Sequence, residues 1–252
     1  MKRQYFGDIN DFHKYGLLQI LCQERKLKLG VCWMLTPDDG RNDGSRTGYL
    51  SFPSRWRAYN PQLFDFLLAR VGGSRKRDIR LLQTHRVLPR AEFHTQQLTD
   101  SDGERQLYFS VMQKKFARAD IIFFDPDNGF EVRSIRRGSR KSSKYIYWHE
   151  VSDVYRTRHS VLVYQHFPRE NRARFVAARA ATLRRKTGAL EVYSFRTAHV
   201  AFFLAPQPRH AECFRRAALR VQETWAGVFQ VCCHGADCPT KEGRPALNQR
   251  TG

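Results

Sequence analysis

Apolar residues fall along this chain in short blocks divided by polar, glycine-bearing segments, and the blocks alternate between two periodicities. Gly30-Val31-Cys32-Trp33-Met34-Leu35, Ile121-Ile122-Phe123-Phe124 and Val161-Leu162-Val163-Tyr164 are continuous apolar runs of strand length, the pattern of strands covered on both faces. Helical spacing appears at Leu17-Leu18-Gln19-Ile20-Leu21-Cys22, where Asp8 or Asn10 can cap, and over 62–71, 103–119, 170–186 and 210–224. Residues 79–83 and 91–94 read as further strands, 145–155 as partly helical, 190–195 and 200–204 as strands or one hairpin, and 228–231 as a last short strand. This alternation predicts an α/β fold with a doubly wound, largely parallel sheet. Residues 1–235 read as a single α/β domain with an N-terminal leader and basic insertions at about 45–59 and 133–144; the Gly-, Pro- and polar-rich stretch 236–252 is expected to be disordered.

The most informative boundary is where the run 121–124 gives way to Asp125-Pro126-Asp127-Asn128-Gly129-Phe130-Glu131. Carboxyl ends of strands are where open α/β sheets bind ligands. Asp, Pro, Asn and Gly also make ordinary turns. Favouring a site, the acids Asp125, Asp127 and Glu131 repel one another unless a metal, a base or an amine uses them. His166 ends another strand and is a candidate base, or else a structural hydrogen-bonding group.

Composition changes the picture of the partner. Lys and Arg number 44 against 24 Asp and Glu, a net charge of +20 that attracts polyanions and favours nucleic acid. The insertion near 45–59 interleaves Arg46, Arg55 and Arg57 with Tyr49, Phe52, Trp56 and Tyr59, which suits phosphate contacts with base stacking and equally suits self-packing. The loop 133–144 carries Arg133, Arg136, Arg137, Arg140, Lys141 and Lys144 with no acid. The candidate nucleic-acid contacts are therefore Arg55, Arg57, Arg136, Arg137, Arg140, Lys141 and Lys144. No apolar run is long enough to span a membrane, and the six scattered cysteines suggest free thiols in a reducing cytoplasm. Cys232, Cys233, His234 and Cys238 form one local Cys/His group without the second pair a zinc site usually has, so no metal is assigned.

The leader Gly7-Asp8-x-x-Asp11-x-x-Lys14-Tyr15 resembles the Gly-Asn-x-x-Asp-x-x-Lys-His leader of RlmJ-type 23S ribosomal RNA adenine-N6 methyltransferases. By order of elements the resemblance covers roughly residues 4–205. It implies a Rossmann-like, methyltransferase-type sheet and S-adenosylmethionine as cofactor, held by the glycine-bearing loop from Thr36 to Gly44, with Thr36, Asp38, Asp39 and Gly40 as its residues and Asp11 and Lys14 closing the pocket. The family's Asp-Pro-Pro-Tyr matches Asp125-Pro126-Asp127-Asn128 in its first two residues only. Asn128 stands where a tyrosine would pack on the target adenine, and Phe130 is either a replacement face or a core residue.

These residues support an S-adenosylmethionine-dependent methyltransferase acting on nucleic acid, with RNA preferred through the resemblance. Asp125, Pro126, Asp127, Asn128 and His166 are its candidate catalytic residues. Asp125 and the Pro126 carbonyl can accept the hydrogens of an exocyclic amine, leaving positioning and desolvation to supply most of the rate. A metal-dependent nuclease or phosphodiesterase using Asp125, Asp127 and Glu131 stays open, as does a non-catalytic nucleic-acid-binding protein.

Overall fold

The computed structural model describes residues 6–37, 46–71 and 78–235. Asp38, Asp39, Gly40 and the stretch 236–252 lie outside the described residues. The elements are α1 (Ile9–Gln23), β1 (Leu29–Cys32), α2 (Pro53–Trp56), α3 (Pro61–Val71), α4 (Leu81–Thr84), β2 (Ala91–His94), α5 (Asp102–Lys115), β3 (Ile121–Phe124) and β4 (Gly129–Phe130). There follow β5 (Tyr145–Ile146), α6 (Trp148–Arg156), β6 (Ser160–His166), α7 (Arg172–Thr187), β7 (Glu191–Arg196), β8 (Val200–Ala205), α8 (Ala211–Thr224) and β9 (Gln230–Gly235).

Among the described residues the main sheet has seven strands in the order β2-β1-β3-β6-β8-β7-β9, beside a two-stranded β4-β5 ribbon. β2, β1, β3 and β6 pair in parallel, the arrangement expected from the helices between them. The other half is antiparallel: β8 pairs with both β6 and β7, and β9 pairs with β7. The sheet is thus Rossmann-like and mixed. A short turn at 197–199 joins β7 to β8, too short for a parallel crossover, and it places Val200 opposite His166.

Alternate side chains of the buried strands enter separate cores, as the period of a strand demands. Ile121 and Phe123 join α1, α3 and α8 on one face, whereas Ile122 and Phe124 join α5, α6 and α7 on the other. Helix ends follow local chemistry. Asp8 caps α1 by accepting the Asn10 amide at 2.7 Å, Asn171 caps α7 through the Arg174 amide at 3.0 Å, and Gly188 ends α7 with φ of 74°.

Two expectations are corrected. Residues 79–83 form no strand: Asp78 accepts the Arg80 amide at 2.9 Å and starts the single turn α4, which buries Leu82, because so short an apolar run does not distinguish strand from helix. The cysteines are not uniformly free thiols, since Cys22, Cys32, Cys213 and Cys232 are free and Cys233 is disulfide-bonded. Among the described residues no helix is long and apolar enough to cross a membrane.

From β1 the chain passes to β2 on one side and then returns to place β3 on the other, so the order reverses between β1 and β3. In doubly wound sheets the crevice beyond the carboxyl ends of those two strands is the preferred place for a ligand.

Candidate active site

The leader helix runs into this crevice. Asp11 lies in the first turn of α1 and Lys14 one turn on, so both side chains share one face. Lys14 Nζ is 2.9 Å from Asp11 Oδ1 and 2.7 Å from Asp125 Oδ2, and all three residues are buried. The Gly7 amide donates to Asp11 Oδ2 at 3.1 Å. The ammonium also lies 4.9 Å from the centre of the Tyr164 ring and 5.9 Å from that of Trp33. Burial alone would lower the Lys14 pKa, but the charges and hydrogen bonds of Asp11 and Asp125 outweigh it and raise it. Burial raises both carboxyls, and Lys14 acts against that rise.

The strand-end loop is fixed at each residue. The Asp125 amide donates to the Cys32 carbonyl at 3.0 Å, extending the pairing of β1 with β3. Pro126 follows, also buried. Thr36 Oγ1 donates to Asp127 Oδ2 at 2.8 Å, a bond that spans the switch point. The Asp127 carboxyl is held below its ordinary range, against the burial that would raise it, with the Thr36 bond and the Lys144 charge among the causes. The Asn128 amide donates to the Lys144 carbonyl at 2.9 Å. Met34, between β1 and Thr36, has φ of 46°, a left-handed backbone that side-chain-bearing residues rarely adopt. Such strain collects at sites whose surroundings impose it.

Gln165 clamps the far side of the loop. Its Nε2 donates to the carbonyls of Asn128 at 2.8 Å and His166 at 2.7 Å, and its Oε1 accepts the Phe130 amide at 2.9 Å. Gly129 has φ of 112°, and a Cβ there would come within 2.3 Å of the Gln165 side chain, so only glycine fits. His166 stands at the mouth with Nε2 3.1 Å from the Tyr164 hydroxyl. Desolvation by the crevice pulls its pKa down to about 4, an effect that its solvent-exposed side moderates.

Glu131 does not join the other acids. Its Oε1 accepts the Trp148 amide at 2.8 Å at the start of α6. Among the described residues no group of three His, Cys, Asp or Glu side chains is disposed to hold a metal ion. Of the two roles open to Phe130, the structure gives it the core: it is buried and stacks on Trp148 with ring centres 4.0 Å apart and planes at 14°.

The basic candidates belong to segments on opposite layers of the sheet. The segment holding Arg55 and Arg57 follows β1 and packs with the α1 layer through Tyr49, Leu50 and Trp56, while the loop 133–144 follows β3 and lies against α5. Arg57 pairs with Asp65 through two bonds of 2.8 Å, and Arg55 lies 5.1 Å from the Trp56 ring. Arg136 and Arg140 are exposed, Arg137 pairs with Asp102, and Lys144 is half-buried beside the site loop. Asp100 accepts the amides of Lys141 and Ser143, each at 2.8 Å. Arg105, wholly buried, binds the Glu150 carboxylate at 2.8 Å and donates to the carbonyls of Ser142 at 3.2 Å and Tyr145 at 2.7 Å.

The structure therefore brings together Asp11, Lys14, Thr36, Asp125, Pro126, Asp127, Asn128 and His166, while Asp38, Asp39 and Gly40 fall outside the described residues. Sequence reasoning missed Gln165, Tyr164, Asp100, Arg105 and Glu150. An amide closing an otherwise apolar strand run, and an arginine at core spacing with Tyr108, Phe109 and Met112, were the available signals. No protein-family model and no curated protein matches this sequence.

Proposed function

We propose that this chain is an S-adenosylmethionine-dependent methyltransferase acting on an amino group of nucleic acid, RNA before DNA. The observation that carries the reading is the Lys14–Asp125 contact at 2.7 Å, which joins the family-like leader to the strand-end acid at the switch point. The donor set fits the cofactor: the carboxylates Asp125 and Asp127 lie at the strand end beside Lys14 and Thr36, and carboxylates at that position suit a ligand bearing a sulfonium cation. Asp11, Lys14, Thr36 and Asp127 are the described residues placed to line its pocket. When bound, S-adenosylmethionine supplies an electrophilic methyl group.

The chain's own part is to present the nucleophile. Lys14 fixes the orientation of Asp125 and stabilises its ionised form, so that the carboxylate and the Pro126 carbonyl can accept the two hydrogens of an exocyclic amine. Gln165 and Thr36 hold the two ends of that loop, so that little reorganisation is needed at the moment of reaction. His166, neutral at pH 7, stands where a proton can leave the crevice. Asn128 supplies no aromatic face and Phe130 is committed to the core, so the target base must be gripped differently from adenine in the family that the leader resembles.

Calorimetry with S-adenosylmethionine, and separately with magnesium and manganese, tests the reading. Cofactor binding in the wild type that is lost in Asp125→Ala is the expected result. No cofactor binding, with divalent-ion binding lost in the same variant, would overturn it in favour of a metal-dependent phosphodiesterase.

A further inference from the structure

Arg105 and Arg179 both lie against aromatic rings in the second core layer, and they differ in what their donors meet. Arg105 sits 4.8 Å from the Tyr147 ring and 5.4 Å from Phe109, with its guanidinium matched by Glu150 and two carbonyls. Arg179, on α7, is half-buried between Phe175 at 5.1 Å and Trp148 at 6.0 Å. It donates no hydrogen bond and forms no ion pair with any described residue; Glu170 and Glu131 act on it only at longer range. A guanidinium that has lost part of its hydration without gaining an internal anion is unfavourable in the free protein. An external anion would offset that cost, and the rings already hold the planar fork in place.

Arg179 is one member of a ladder. Arg172 lies two turns earlier on the same face of α7, 5.5 Å from the Phe167 ring, and Phe167 lies 6.0 Å from Phe175. Arg172, like Arg179, makes no hydrogen bond or ion pair among the described residues. At the other end Trp148 stacks on Phe130, whose amide is held by Gln165 of β6. Next to Trp148, His149 contacts Arg137 of the basic loop at 2.9 Å. The ladder therefore connects the loop 133–144, through His149 and Trp148, with Phe130 just after the site loop.

We propose that Arg172 and Arg179 form a phosphodiester-binding track for single-stranded nucleic acid, with the part-exposed Trp148 as a stacking platform, leading the strand to the Asp125 crevice. The two guanidinium groups are set about 10 Å apart by the rise of the helix, which spaces them for phosphates of different nucleotides. Guanidinium groups alternating with rings are suited to a single strand, whose bases and phosphates are both accessible. The inference rests on the nucleic-acid part of the proposed function and is independent of the cofactor.

The test is fluorescence anisotropy of a labelled single-stranded RNA over a salt series, for the wild type, Arg179→Ala, Arg179→Lys and Arg172→Ala, with melting temperatures alongside. Arg179→Ala is expected to weaken binding roughly tenfold or more, the effect of one charge-assisted contact. The slope of log K against log salt should fall by about 0.7 for each lost phosphate contact. Arg179→Lys should keep the slope and bind less tightly than the wild type. Arg179→Ala should melt close to the wild-type temperature, because only its ring contacts and no internal anion are lost, whereas an arginine holding an internal ion pair would lower it markedly. Unchanged affinity and slope in both alanine variants, or binding of inorganic phosphate at Arg179 with no RNA binding, would overturn the track. RNA binding through Arg179 by a protein that does not bind S-adenosylmethionine would sink the methyltransferase reading and leave the track standing; methyl transfer unaffected in either alanine variant would do the reverse.

Discussion

Lys14 Nζ meets Asp125 Oδ2 at 2.7 Å across 111 residues of sequence, inside a space shared with Asp11 and the Tyr164 ring. Replacing Lys14 with Met would leave the buried carboxyls of Asp11 and Asp125 without the ammonium that lies between them. The expected cost is about 3–5 kcal/mol, the usual penalty for breaking a buried ion pair from one side. Urea denaturation measures it. In Lys14→Met/Asp125→Asn, part of the loss should return, because one of the two carboxyl charges is gone. A single variant as stable as the wild type would mean that the cluster adds no net stability.

The leader, the acids at the strand end and the parallel half of the sheet were legible in the sequence because each has a local signature: a cap, a run of four apolar residues, an abrupt change to polar ones. What was not legible depends on pairing over distance. Gln165 became a clamp only when β6 came to lie beside β3. Glu131 was read with Asp125 and Asp127 because it is near them in sequence, yet the turn of the β4-β5 ribbon aims it at the amide of Trp148. The spacing of Arg105 with Tyr108, Phe109 and Met112 marks it as facing inward, but its role is set by Glu150 on another helix.

Stability should fall as the medium is made acidic, and His13 should account for a measurable part of the fall. Among the described residues neither of its ring nitrogens has a hydrogen-bond partner, and Trp56, Trp225 and Phe229 lie against it at 5.8, 6.1 and 5.9 Å. Burial, and next the charge of His199, pulls its pKa down to about 3. The unfolded chain, with an ordinary value near ~6.5, takes up this proton first, so the stabilisation is complete above that value and lost as pH falls toward the folded one. His94 and His166, each lowered to about 4, act in the same direction. Between pH 7 and pH 5, His13→Phe should lose less stability than the wild type, by at most about 2 kcal/mol in paired urea titrations. Equal losses would show that His13 is not the group that titrates.

Arg105 should govern access to the basic loop. Its Nη atoms donate to the carbonyls of Ser142 in the loop and Tyr145 at the start of β5, so Arg105→Met removes the ties at the loop's end and leaves Glu150 buried without its cation. A loss of about 3–5 kcal/mol is expected. Brief trypsin treatment at a temperature where the variant remains folded should cut after Arg140 or Lys141 faster than in the wild type, with fragments identified by mass. Equal cleavage rates would show that the Arg105 bonds do not restrain the loop.

The antiparallel course of β8 also has a meaning for how this site can change. A strand parallel to β6 would end at the crevice and hand it another long connecting loop; β8 instead begins there, with Val200 opposite His166 and only the turn 197–199 in front of it. That turn is closed by the Thr197 amide donating to the Val200 carbonyl at 2.8 Å. One wall of the entrance is therefore a low parapet set by hairpin length alone. Adding or removing residues there would reshape which substrates can enter while leaving Lys14, Asp125 and Gln165 in place, so variation among descendants of this chain has an inexpensive place to accumulate.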